Sequence, residues 1–87
     1  MTRDEKKKII AKYGKHEKDT GSSQVQVAIL TFRINELSKH LENHAKDDHS
    51  RRGLLGLVGE RRGHLQYLRL HDEDKYQWVV KELKLRK

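Results

Sequence analysis

Val27, Leu30, Ile34, Leu37 and Leu41 recur in steps of three and four, with Val25, Ile29 and Phe32 beside them, and the chain contains no proline to interrupt the pattern. Apolar residues at that period lie along one side of an α-helix, and a stripe this wide can be buried against more than one neighbour. The helix opens at Ser23, where Ser23 and Gln26 form a capping-box pair, and continues to about Asn43. Three further helices are expected. The first runs from about Arg3 to Tyr13, with Thr2 and Glu5 as its capping box and Gly14 as its stop. A polar stretch from Lys15 to Ser22 contains the turn-forming Asp19-Thr20-Gly21. After a short loop, His44 to His49, Ser50 is the expected N-cap of a third helix from Arg51 to about Leu70. Asp72 caps the fourth, whose inner face is Tyr76, Val79, Val80 and Leu83. The fold class is all-α.

Two long helices joined by a short loop pack antiparallel. On the third helix, at about 100° per residue, Leu54, Leu57, Val58, Leu65 and Leu68 share the core sector. Arg61 falls in that sector too, so it either pairs with an acid such as Glu36 or extends its head past the core edge. Roughly opposite lie Arg52, Gly56, Gly59, Gly63 and Tyr67. A glycine inside a helix costs about 1 kcal/mol relative to alanine. Either this is a tolerated weak helix, or another backbone approaches closely there.

Charge narrows the function. Lys and Arg number 20 against 13 Asp and Glu, a net charge of +7, which calls for a polyanionic partner, nucleic acid being the commonest. An acidic membrane surface would need an amphipathic helix with large exposed apolar groups, and the single tryptophan, Trp78, stands close to the C-terminus. No apolar run approaches the roughly 18 residues of a membrane span. The N-terminus MTRDEKKKII lacks the apolar region of a signal peptide, and its acidic residues argue against a transit peptide. The absence of cysteine excludes disulfides and thiolate metal sites and fits a reducing, cytosolic compartment. At 87 residues there is room for one domain, residues 1–87, with one modest core.

If the hairpin turns near residues 46 and 47, Gln26 lies level with Tyr67 and His40 with Gly53. The hairpin then has two polar ends. One gathers Asp19, Thr20, Gly21, Gln26 and Tyr67; the other gathers His40, His44, Asp47, His49, Ser50, Arg51 and Arg52. From Gln26 to His40 is roughly 21 Å along the helix, so the two ends can reach RNA elements on either side of a groove or junction. Hydroxyl, amide and imidazole groups and a loop glycine suit 2′-hydroxyls and base edges in the shallow minor groove, and Tyr67 can stack on an unpaired base. Arg51, Arg52, Arg61 and Arg62 supply phosphate contacts. The histidines, with His40 and His44 at i, i+4 before Asp47, Asp48 and His49, specify no closed zinc set. Hydrolytic catalysis needs a pocket and an oriented nucleophile that a small hairpin bundle seldom offers. A helix-turn-helix reading fails on helix length and on the polar loop. The residues therefore point to a non-enzymatic RNA binder without a cofactor.

The run His44-Ala45-Lys46-Asp47-Asp48-His49-Ser50-Arg51-Arg52-Gly53-Leu54-Leu55, preceded by Asp19-Thr20-Gly21-Ser22 and followed by Arg61-Arg62, resembles the bacterial small-subunit ribosomal protein fifteen family. The likeness extends to Leu83-Lys84-Leu85-Arg86-Lys87, close to a Leu-Gly-Leu-Arg-Arg tail. It implies a four-helix protein with a mobile first helix, a monomer when free, that binds the central domain of small-subunit rRNA early in assembly. It further implies bridging of a three-way junction and a nearby helix, nucleation of the platform beside other platform proteins, and an intersubunit contact with large-subunit rRNA. Carried over by position, the junction contacts fall on Thr20, Gly21, Gln26 and Tyr67, and the helical contacts on His40, Asp47 and Ser50. The chain departs from the pattern at Gly56 and Gly63, where the family usually has Lys or Arg, the latter position belonging to its junction contact. It departs again at Asp48, where His is more common, and at Lys84, where Gly is usual.

Overall fold

The computed structural model describes residues 3–15 and 21–85; Thr2, Asp19 and Thr20 lie outside the described residues. Among the described residues four helices follow one another: α1 (Arg3–Tyr13), α2 (Ser23–Asn43), α3 (Asp48–His71) and α4 (Glu73–Glu82). As expected, α1 stops at Tyr13, and the Gly14 N–H closes the last turn on the Ile10 carbonyl at 2.8 Å. The start of α4 also follows expectation, with the Asp72 carboxylate accepting from the Lys75 N–H at 3.1 Å.

Two helix N-caps differ from the sequence reading. Ser23 is already inside α2. The N-cap is Ser22, in extended backbone, and its carbonyl receives the Gln26 N–H at 3.0 Å, so the Ser23–Gln26 box does not form the cap. Likewise α3 begins at Asp48 with Asp47 as N-cap, which places Ser50 in the first turn. Asp47 takes the role because its carboxylate accepts the Ser50 N–H and carries negative charge at the positive end of the helix.

α2 and α3 form the antiparallel hairpin. Arg61 lies opposite Thr31, and Gly53 opposite Leu37, close to the register expected from the short loop. α1 and α4 pack on one end of it only. There Ile10 and Tyr13 of α1 are buried with Val25, Ala28 and Ile29, while Val27 and Leu68 are buried with Tyr76, Val79 and Val80 of α4. Trp78 and Leu83 touch both groups, and the Tyr13 and Trp78 rings lie 5.2 Å apart. Burial stops along α2 at Ile34, and on α3 only Leu68 is buried, so Leu37, Leu41, Leu54 and Leu57 are half-covered. The distal half of the hairpin is thus a two-helix arm.

Arg61 resolves its own puzzle. It stays half-buried and donates to the Thr31 hydroxyl at 3.2 Å, which in turn donates to the Val27 carbonyl at 2.7 Å. Desolvation at this position pushes its pKa down.

The end of α4 is a Schellman turn. Leu85 N–H reaches back to the Val80 carbonyl at 3.0 Å, and Lys84 N–H to Lys81 at 3.3 Å. Lys84 has φ 54°, the only non-glycine residue with positive φ among the described residues. Leu85, carried inward by this turn, packs against the α4 core group.

Candidate nucleic-acid interface

At the arm's tip the short loop brings His40, Asp47 and Ser50 together. Asp47 accepts from the Ser50 hydroxyl at 2.6 Å, from the Ser50 N–H at 3.0 Å and from His40 Nε2–H at 3.1 Å. These bonds, the Ser50 hydroxyl first, hold its carboxyl well below the ordinary Asp value. The His44 ring stacks on His40 at 4.2 Å and donates from Nδ1 to the His40 carbonyl at 3.0 Å. The cluster superficially resembles hydrolase chemistry, but its order is wrong. The carboxylate stands in the middle and takes the serine proton's hydrogen bond itself, so no imidazole is placed to activate the hydroxyl. What the cluster offers is a rigid set of polar groups at the surface.

Arg33, Leu37 and His40 of α2 and Ser50 and Leu57 of α3 line one shallow hollow. Gln26 shares this flank of α2, since 26, 33, 37 and 40 follow helical steps of seven, four and three. Arg33 was not singled out in the sequence, although its position seven residues before His40 puts it on the same side.

At the other end Gly21, Ser22, Gln24, Tyr67 and His71 line a second hollow that reaches Lys15 and Lys75. Tyr67 is 56% exposed, with its ring 4.4 Å from His71. Gly21 leaves bare backbone, since a Cβ there would meet nothing within 4 Å. Asp19 and Thr20, also expected at this end, are outside the described residues, and Gln26 does not line this hollow.

The arginines separate. Arg51 donates to the Ala45 carbonyl and so braces the loop, while Arg52 is exposed on the glycine side of α3. Arg62 is exposed but lies well over 100° around the helix from Ser50 and Leu57, at about 100° per residue, away from either hollow. The glycine side is open, and a Cβ at Gly56, Gly59 or Gly63 would meet nothing within 4 Å. Among the described residues no group of three or more His, Asp or Glu is placed to hold a metal ion, and no helix is long and apolar enough to cross a membrane.

This arrangement can be set against known proteins. The family profile described as Ribosomal protein S15 matches residues 6–86. The chain belongs to the ribosomal protein S15 family. It is 56% identical over 87 residues to the small ribosomal subunit protein uS15 of Carboxydothermus hydrogenoformans, covering 100% of this chain and 98% of the relative. It is 54% identical over 87 residues to the uS15 protein of Clostridium botulinum strain Hall, with both chains covered completely (100%). As an S15-family member the chain is a structural constituent of the small ribosomal subunit, associated with rRNA in the ribosome of the cytoplasm, and not an enzyme.

Proposed function

We propose that this S15-family chain acts as a single rRNA-binding domain that grips the central domain of small-subunit rRNA at a three-way junction and an adjacent helix. The observation that carries the reading is the presence of two polar clusters at opposite ends of one hairpin. Gly21 and Tyr67, with Gln26 and Thr20, take the junction. His40, Asp47 and Ser50 take the minor groove of the helix, where fixed donors and acceptors read 2′-hydroxyls and base edges. Arg33, Arg51 and Arg52 add phosphate contacts, which position the protein without reading sequence. Holding the two RNA elements together nucleates the platform for later proteins, and the exposed arm contributes the contact with large-subunit rRNA.

Chemical footprinting of small-subunit rRNA with and without the protein tests this. Protection should appear at a junction and at one neighbouring helix, and protection at a single contiguous site would sink the two-ended reading. Affinity for the junction fragment should fall with salt, with a log–log slope of about −3 to −7 for some 4–8 phosphate contacts.

A further inference from the structure

On the side of the hairpin away from His40 and Ser50 lies a cleft of about 680 Å³, between α2, α3 and the end of α4. Its rim carries Arg62, Arg69 and Lys84, with Arg61 deeper inside, and no Asp or Glu lines it. Neither ion pair identified among the described residues, Lys12 with Glu82 or His40 with Asp47, involves any of these four cations. The Thr31 hydroxyl takes one N–H of the Arg61 guanidinium, which leaves the rest of its five-donor fork for an acceptor in the cleft. The lining between these charges is aliphatic: Ile34, Val58 and Leu65 on one wall, Leu83 and Leu85 on the other.

This pairing of chemistries selects among anions. RNA supplies phosphates for the arginines, but five aliphatic side chains line this cleft against two, Leu37 and Leu57, in the hollow at His40, and single-stranded bases seek aromatic platforms. The one aromatic ring lining the cleft, Tyr76, is itself buried at 7% exposure. A peptide segment with alternating carboxylate and aliphatic side chains satisfies both, since carboxylates meet Arg in forked pairs and leucine-like groups cover the wall.

We propose that the cleft between α2, α3 and the α4 turn, rimmed by Arg61, Arg62, Arg69 and Lys84, docks an acidic, aliphatic segment of a neighbouring protein. It is a face separate from the proposed rRNA clusters, so a protein and the RNA can be held at once. The turn at Lys84 matters to the site, because it places both Lys84 and Leu85 on the cleft.

The test is an NMR titration of the full chain with a synthetic peptide of alternating Asp or Glu and Leu, beside a same-charge peptide with Ser for Leu. Saturable shifts of the amides of Thr31, Asn35, Leu65 and Leu85 are expected, with at least a tenfold weaker response to the Ser peptide. The double variant Arg69→Glu, Lys84→Glu changes only exposed side chains and should lower peptide affinity at least tenfold. Its binding to the junction RNA fragment, measured in parallel, reports separately on the rRNA reading. Equal binding of both peptides, or no loss in the double variant, overturns the proposal. So does an RNA fragment that shifts the same amides while the peptide does not.

Discussion

Ser50 is bonded to Asp47 twice, its hydroxyl to one carboxylate oxygen at 2.6 Å and its backbone N–H to the other at 3.0 Å. The same carboxylate orients His40, so the cap of α3 and the arm's polar cluster are one object. Ser50→Ala keeps the backbone bond and should cost about 1 kcal/mol of stability while leaving helix content unchanged. Asp47→Ala loses both bonds and the charge at the helix start, so its melting temperature should fall further. His40→Ala should leave stability nearly untouched and weaken RNA binding. Circular dichroism with a fragment-binding assay separates these effects, and unfolding of Ser50→Ala would make it a structural residue only.

Asp47 also makes a pH prediction. Its folded pKa is depressed, so its contribution is complete above the ordinary Asp value and is lost as pH falls toward the lower folded value. The stability difference between the parent chain and Asp47→Asn should therefore hold near neutral pH and shrink only in strong acid. A difference unchanged at low pH would show that the bonds to Ser50 and His40 do not favour the ionised carboxylate.

Lys84 holds a left-handed backbone with φ 54°, which costs a side-chain-bearing residue roughly 1–2 kcal/mol. Glycine loses more chain entropy on folding, which offsets part of that. Lys84→Gly should raise stability by about 0.5–1 kcal/mol net. Chemical denaturation checks it, and a loss of stability would mean that the lysine side chain contributes more at this turn than its backbone costs.

α1 buries only Ile10 and Tyr13, and its ion pair, Lys12 with Glu82 at 3.1 Å, is exposed. Amide exchange in the free protein should therefore be much faster in α1 than around Val25, Val27 and Val79, the residues buried most completely. Uniform protection across all four helices would contradict this.

Gly63 faces open space, so a side chain there meets no obstacle within the protein. Gly63→Arg should improve helix propensity by about 1 kcal/mol and add a phosphate contact one turn from Tyr67. Melting temperature and junction affinity are expected to rise together. Higher stability with weaker binding would instead mean that RNA or a neighbouring protein comes close to the backbone here.

Much of this was legible in the sequence because helical period and end signals are local. The bounds of α1, the start of α4, the buried stripe from Val25 to Ile34 and the level of α2 against α3 all followed from local signals and spacing. The N-caps of α2 and α3 did not, because Ser22 and Ser23, or Asp47 and Ser50, are each acceptable caps, and only the folded bonds choose between them. Leu37 and Leu41 continue the stripe yet are half-covered, since periodicity tells which side of a helix is apolar but not how far its neighbours extend. Arg61 looked anomalous in the core sector until Thr31 on the facing helix supplied its acceptor. The separation of Arg62 from Tyr67 and Ser50 was computable from the wheel, but the cleft it rims depends on where the end of α4 comes to rest.

The two polar clusters are carried on one pair of packed helices, and this makes the protein a caliper. On the proposed two-ended reading, once either end has docked the other meets its RNA element as an intramolecular event, and such linkage multiplies affinity by roughly 10²–10⁴ without a new contact. The gain requires that both elements fit the same span, roughly 21 Å along α2. An RNA that keeps every contacted nucleotide but has extra base pairs between the two elements should therefore bind like a single-site ligand, so the spacing of its targets is itself part of what this hairpin reads.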